Sequence, residues 1–369
     1  MSRADRNTGR LLAAALIVAA AACSVDSPAA PADAPAPAAA PATAPATAPD
    51  TAATPATIAL PGGAGGVGFD ELRYARALGK LLVPAGRTGS LDLVDPATGA
   101  VEAIAGFAES SPGRSGHGEG TTSADEGAGL LFAIDRTRTT VDVIDPAARA
   151  IVGSAGLAAE PDYVRFVASR RELWVTEPDA EQIEIFALPE GAPPAPEKRG
   201  LIAVAGGPES LVIDARRGRA YTHLWKGGTV AIDLATRAIV ATWSNGCEGS
   251  RGIALDEARG WLFTGCREGR ATVLDVADGR LLSSAPTGAG VDIIDYDPAR
   301  GHLYVPASQS ATLTILGVSA AGELSVLGTA QVAKGAQGVA TDGAGRVFVG
   351  DPLAGQLVVV VDEHPASGR

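Results

Sequence analysis

Gly252-Ile-Ala-Leu-Asp-Glu-Ala-Arg-Gly-Trp-Leu-Phe-Thr-Gly265 is followed by Ala271-Thr-Val-Leu-Asp275 and Gly279-Arg-Leu-Leu282. Each piece is a short apolar run closed by Asp or Gly, the pattern of strands joined by tight turns. The order returns in Leu211-Val-Ile-Asp-Ala-Arg-Arg-Gly-Arg-Ala-Tyr221, Thr229-Val-Ala-Ile-Asp233 and Ala238-Ile-Val-Ala241. Asp214 and Asp256 are 42 positions apart, and so are Asp233 and Asp275. Working outward, the cadence recurs at Asp297 with Leu303-Tyr-Val305, at Asp342 with Arg346-Val-Phe-Val349, and at Asp125 with Leu130-Leu-Phe132. A divergent copy spans 163–167 with Leu173-Trp-Val175, and the first spans 72–75 with Leu81-Leu-Val83. Seven units of roughly 40 to 50 residues predict an all-β, seven-bladed β-propeller of four-stranded antiparallel blades over residues 57–363.

The last unit ends on Gln356-Leu-Val-Val-Val-Val361 without a fourth strand of its own. Thr57-Ile-Ala-Leu60, ahead of the first unit, is expected to supply it, so that an N-terminal strand closes the last blade and protects its edge. Composition agrees with this reading. Hydrophobic residues make up 46% of the chain, 46 residues are Gly, 25 are Pro and one is Met. That is the punctuation of many short strands, and it argues against an all-α fold. A net charge of −12 leaves no basic excess to neutralise phosphates, so nucleic acid is not an expected partner.

Arg3, Arg6 and Arg10 precede an uncharged apolar stretch at 11–22, the organisation of an export signal over residues 1–22. The stretch is too short to span a bilayer as a stable helix. It ends in Ala20-Ala-Ala-Cys23, which resembles a bacterial lipobox and makes Cys23 the expected lipidation site. The alternative is an ordinary cleavage site beside a chance cysteine. Ser24 stands where an inner-membrane retention signal would carry Asp, which favours the outer membrane. Residues 23–56 are expected to form a disordered Ala/Pro/Thr tether, since such a segment buries too little apolar surface to offset ordering entropy. The expected location is therefore the periplasm or cell surface, with the membrane touched through the lipid alone. Residues 364–369 read as a tail.

Cys247-Glu-Gly-Ser-Arg-Gly-Ile-Ala-Leu-Asp256, Leu262-Phe-Thr-Gly-Cys266, Gly288-Ala-Gly-Val-Asp292 and Ala336-Gln-Gly-Val-Ala-Thr-Asp342 together carry a family resemblance. Over residues 57–362 the chain resembles the YncE-like, or YVTN, β-propellers of bacteria. The resemblance implies a seven-bladed fold and a periplasmic or surface location more than a biochemical role. One member of that family is associated with single-stranded DNA, which makes such binding a minor alternative here.

With Cys23 assigned to lipid, Cys247 and Cys266 remain as a pair in an oxidising compartment. Both fall just beyond the same end of one hairpin, so a disulfide is expected; free thiols or a metal pair are the alternatives. The recurring Asp residues fit turn chemistry, accepting backbone N–H groups, better than metal ligation. No metal or cofactor is expected. His302, at a hairpin start, and His364 read as solvated. In a propeller, the loops between blades and those joining second to third strands open on one face. The candidate binding residues on that face are His117, Glu119, Asp162, Glu209, His223, Lys226, Arg251, Arg267 and Asp292, accompanied by Arg114, Glu160 and Glu248.

No nucleophile elbow, phosphate-binding loop or dinucleotide fingerprint occurs, so no catalytic residue is assigned. The leading expectation is a monomeric, non-catalytic module that binds an envelope protein or a polar small ligand. The alternative is a propeller enzyme of the lactonase, lyase or quinone-dependent dehydrogenase kind. It requires acidic groups and a histidine, such as Glu209, His223 and Asp292, to converge over the central channel.

Overall fold

Seven antiparallel sheets of four strands each account for the regular structure in a computed structural model that describes residues 56–111, 118–191 and 195–367. Six blades are contiguous in sequence, at 73–109, 121–156, 164–203, 212–243, 250–286 and 295–331. The seventh joins Val339–Thr341, Arg346–Asp351 and Gln356–Val361 to the N-terminal strand Ala56–Ala59. That strand pairs antiparallel with the last one, Thr57 opposite Val358 and Ile58 opposite Leu357. The first strand of every blade touches the first strands of both neighbours, and Arg73–Ala75 meets Val339–Thr341 to complete the ring. The expected closure is thus observed.

The second strand of each blade explains the cohesion of the ring. At its centre stand Leu82, Phe132, Trp174, Tyr221, Phe263, Tyr304 and Phe348, one per blade and all fully buried. These side chains fill the space between blades: Phe132 stacks on Phe166 of the next blade at 5.2 Å, and Phe263 meets Tyr296 of the next at 4.6 Å. Aromatic residues are suited to this position because each buries a large area with few rotatable bonds.

The repeated Asp residues work as turn acceptors. Asp214 Oδ1 accepts from Arg217 N at 2.9 Å and Asp256 Oδ1 from Arg259 N at 3.0 Å. On the outer hairpins Asp95, Asp145, Asp233 and Asp275 accept from the residue two positions on. In blades two to six the pairing of third and fourth strands also slips once, at Val143/Ile144, Ile185/Phe186, Ala231/Ile232, Val273/Leu274 and Ile315/Leu316. A bulge at one recurring place increases the local twist, which turns the outer strand of each blade away from its inner one.

The first and last described segments are both fastened to the ring. Arg87, on the turn between the second and third strands of blade one, donates to Gly66 O at 2.6 Å, Ala64 O at 2.9 Å and Gly62 O at 3.0 Å. The glycine-rich segment after the closing strand is therefore gripped by a buried guanidinium. At the other end Ser367 N donates to Arg300 O at 2.7 Å, and Arg300 Nη1 to His364 O at 2.9 Å. His302 corrects the sequence reading: its side chain is fully buried against Asp362 rather than solvated. The strand that begins with His302 is covered on both faces, by the adjacent blade and by residues 362–365, so its position at a hairpin start does not expose it.

Candidate functional site

The connections that carry the site are those predicted to share one face. They enclose a cavity of about 360 Å³ over the central channel, the upper mouth. Asp162 and Glu209 come from the loops that enter blades three and four, Arg251 from the start of blade five, and Asp292 from the loop entering blade six. Arg136 and Arg267 sit on the turns after the second strands of blades two and five. The half-exposed indole of Trp225 and the ring of Pro178 form apolar parts of the wall.

Arg136 organises one side. It donates from Nε to Pro161 O at 2.8 Å, pairs through Nη2 with Asp162, and lies 3.3 Å from Asp70 Oδ2. Burial disfavours its charge, but Asp162, Asp70 and Glu160 outweigh burial and hold the guanidinium more firmly protonated than usual. On the other side Arg251 Nε lies 3.3 Å from Glu209 Oε1. Glu209 is pushed up to about 10, by burial first and then by the charges of Asp162, Asp292 and Asp70, against the pull of Arg251. At neutral pH it is a carboxylic acid that can donate as well as accept a hydrogen bond. The upper mouth thus brings carboxyl groups, Glu209 among them with its raised value, and guanidinium groups into one concavity.

Close backbone approach shapes this wall. A Cβ on Gly252 would stand 2.3 Å from Asp292 O and 2.7 Å from Ile294 N. Glycine therefore lets the inner strand of blade five lie against the segment that presents Asp292. Beside it the Cys247–Cys266 disulfide joins the loop entering blade five to the end of its second strand, with Cα atoms 5.3 Å apart. Beneath it, buried Asn245 donates to Gly228 O at 2.9 Å and Ser250 Oγ at 2.8 Å and accepts from Cys247 N at 3.2 Å. The expected disulfide is present. Among the described residues the one grouping of possible metal ligands is Cys247, Cys266 and Glu268, whose two sulfurs are already bonded to each other.

Of the residues proposed from sequence, Asp162, Glu209, Arg251, Arg267 and Asp292 line the upper mouth, as does Glu160. His223 does not. It is fully buried, with Nδ1 2.9 Å from Thr229 Oγ1 and Nε2 3.4 Å from Phe263 O. Burial lowers it to about 4, against the Phe263 carbonyl, so it is a neutral tie between blades four and five. The reason is the same as for His302: second strands are packed on both faces. Glu209 and Asp292 consequently meet no histidine from this strand. Lys226 is exposed outside the cavity lining, and Glu119 is half-buried and bonded to Ser110 Oγ. His117 and Cys23 lie outside the described residues. Sequence reasoning missed Arg136, Asp179, Trp225, Gln309 and Gln337 in the lining. A signal for the first existed: Arg87, Arg136 and Arg267 all follow second strands on the same face.

The fold and this mouth define a seven-bladed β-propeller with a polar site over its central channel. No family model and no curated protein sequence matches the chain. In structure it is similar to a chain of the mitotic checkpoint complex, at 14% identity and a TM-score of 0.69, over 88% of this chain and 97% of that one. It is also similar to a chain of the hydrazine synthase of Kuenenia stuttgartiensis, at 12% identity and a TM-score of 0.66, over 86% and 99%. At these identities the likeness is one of fold.

Proposed function

We propose that this chain is a recognition module held at the bacterial cell envelope by a lipid on Cys23, and that its upper mouth binds a compact polar ligand or a projecting polar group of an envelope protein. One observation carries the reading: Arg136, Asp162, Glu209, Arg251 and Asp292 come from separate blades into one cavity of about 360 Å³. Converging polar groups in a concave, largely pre-formed site are the usual anatomy of ligand recognition. Charges of both signs beside a neutral carboxylic acid suit a partner that both donates and accepts hydrogen bonds. The export-type N-terminus and the Ala/Pro/Thr segment that follows it support placement at the envelope.

The test has two arms. Pull-downs from envelope extracts compare the wild type with the Arg251→Gln/Asp292→Asn variant. The wild type is expected to retain a partner or extractable ligand that the variant loses, and identical captures would remove the assignment to the upper mouth. Metabolic labelling with a palmitate analogue is expected to mark the wild type and not Cys23→Ser; equal labelling of both would remove the anchor.

A further inference from the structure

Successive blades bring side chains into the upper mouth from the same place, the turn after the second strand. Blades two to six supply Arg136, Asp179, Trp225, Arg267 and Gln309 in that order, and each lines the cavity. Arg136 is already engaged, by Asp162, Asp70 and the Pro161 carbonyl. Asp179, Trp225, Arg267 and Gln309 are exposed, and none of them makes a side-chain hydrogen bond or ion pair among the described residues. Their bonding capacity is therefore open to a ligand.

The order of these groups around the ring polarises the arc. Blade three holds carboxylates, with Glu160 from its entry loop beside Asp179 in the lining. Blade five holds the Arg267 guanidinium, and blade six adds the Gln309 carboxamide. Trp225, in blade four, stands between the two kinds of charge, with 38% of its surface exposed. An indole offers both an apolar surface and a π-face that attracts cations. The sequence around the arc is thus carboxylate, indole, guanidinium.

We propose that the upper mouth takes a small zwitterion whose ammonium and carboxylate stand at opposite ends of a short apolar chain, the chemistry of an ω-amino carboxylic acid. The ammonium is bound by Asp179, the chain rests on Trp225, and the carboxylate is received by Arg267 with Gln309 beside it. A guanidinium suits a carboxylate because its directed N–H donors match both oxygens. Reversal of the ligand is disfavoured, since its carboxylate would then face Asp179 and Glu160, and repulsion of the wrong arrangement is a source of specificity. The assignment rests on the upper mouth being a ligand site and adds the class of ligand.

Calorimetric titration of the purified full-length chain compares ε-aminocaproate with hexanoate, hexylamine and norleucine. These carry both charges at opposite ends, the carboxylate alone, the ammonium alone, and both charges at one end of the same set of atoms. ε-Aminocaproate is expected to bind saturably and about tenfold more tightly than each of the others. Arg267→Gln is expected to lower its affinity to that of hexylamine and to leave hexylamine unaffected. Asp179→Asn is expected to lower it to that of hexanoate and to leave hexanoate unaffected. The proposal is overturned if the singly charged probes or norleucine match ε-aminocaproate. It is equally overturned if both variants, shown to be folded by their melting temperatures, bind ε-aminocaproate as the wild type does. A singly charged probe that binds the wild type and is lost in Arg251→Gln/Asp292→Asn would remove the zwitterion and leave the upper mouth a ligand site, whereas identical captures in the pull-down remove the mouth itself.

Discussion

His302 Nδ1 lies 2.6 Å from Asp362 Oδ2, and the phenol of Tyr304 donates to that same oxygen at 2.8 Å. The pair ties the second strand of blade six to the segment beyond the last strand of blade seven, and both side chains are fully buried. Burial alone would raise Asp362, but the bonds from His302, Tyr304 and the backbone of His364 outweigh it and hold the carboxyl below its usual range. A depressed carboxyl contributes stability above its unfolded-state pKa and loses that contribution as pH falls through the folded value. Asp362→Ala is therefore expected to destabilise by about 2–4 kcal/mol at neutral pH, because two buried donors lose their acceptor. Urea unfolding at neutral and acidic pH checks this: the gap between wild type and variant should narrow in the acid range.

Glu209 has the opposite sign. Its folded value, about 10, lies above that of an unfolded glutamate. Its contribution is complete below the unfolded value and is lost as pH rises towards the folded one, since the native state keeps a proton that the unfolded state has released. Melting temperature should accordingly fall with rising pH across the neutral range. Glu209→Gln, which keeps a neutral donor and acceptor, should flatten that slope; parallel melting curves for the two proteins would contradict the assignment.

The Cys247–Cys266 bridge closes a loop whose ends are 19 residues apart. Constraint of the unfolded chain by a loop of that size is worth ~3 kcal/mol in the entropy model. The Cys247→Ser/Cys266→Ser variant should lose about that much in denaturant unfolding without reductant, and wild type with reductant should shift towards it. Arg251 and Arg267 stand on the two segments that the bridge joins, so ligand binding at the upper mouth should weaken in parallel.

Phe263 is fully buried against Tyr296 of the next blade. Phe263→Ala removes an aromatic ring from the seam between blades five and six, and calorimetry should register a loss of about 3–5 kcal/mol. Phe263→Leu keeps most of the volume and should cost less than half as much.

Gly252→Ala tests the close approach at the upper mouth. The added methyl would sit 2.3 Å from Asp292 O, a backbone atom that cannot rotate aside. A stability loss of about 1–3 kcal/mol is expected from the overpacking, together with weaker binding at the upper mouth. A variant that melts like the wild type would show that the two segments are not held in contact.

Blade number, strand order and closure were legible in the sequence because each rests on local information. Asp214, Asp256 and Asp297 mark turns through bonds to residues two or three positions on, and Thr57-Ile-Ala-Leu60 declares itself as the strand missing from the last blade. The face of the site followed from the same topology, which is why Asp162, Glu209, Arg251, Arg267 and Asp292 were found together. What the chain could not declare locally is burial and charge across blades. His223 and His302 lie in second strands covered on both faces, where alternation no longer separates inside from outside. Arg136 joins the site by pairing with Asp162 and Asp70, and Glu209 is raised by burial first and then by the charges of Asp162, Asp292 and Asp70 once the ring has closed. Desolvation and Coulomb interaction depend on distances that exist only in the folded ring, so tertiary structure alone decides which of these groups carry charge and which face the channel.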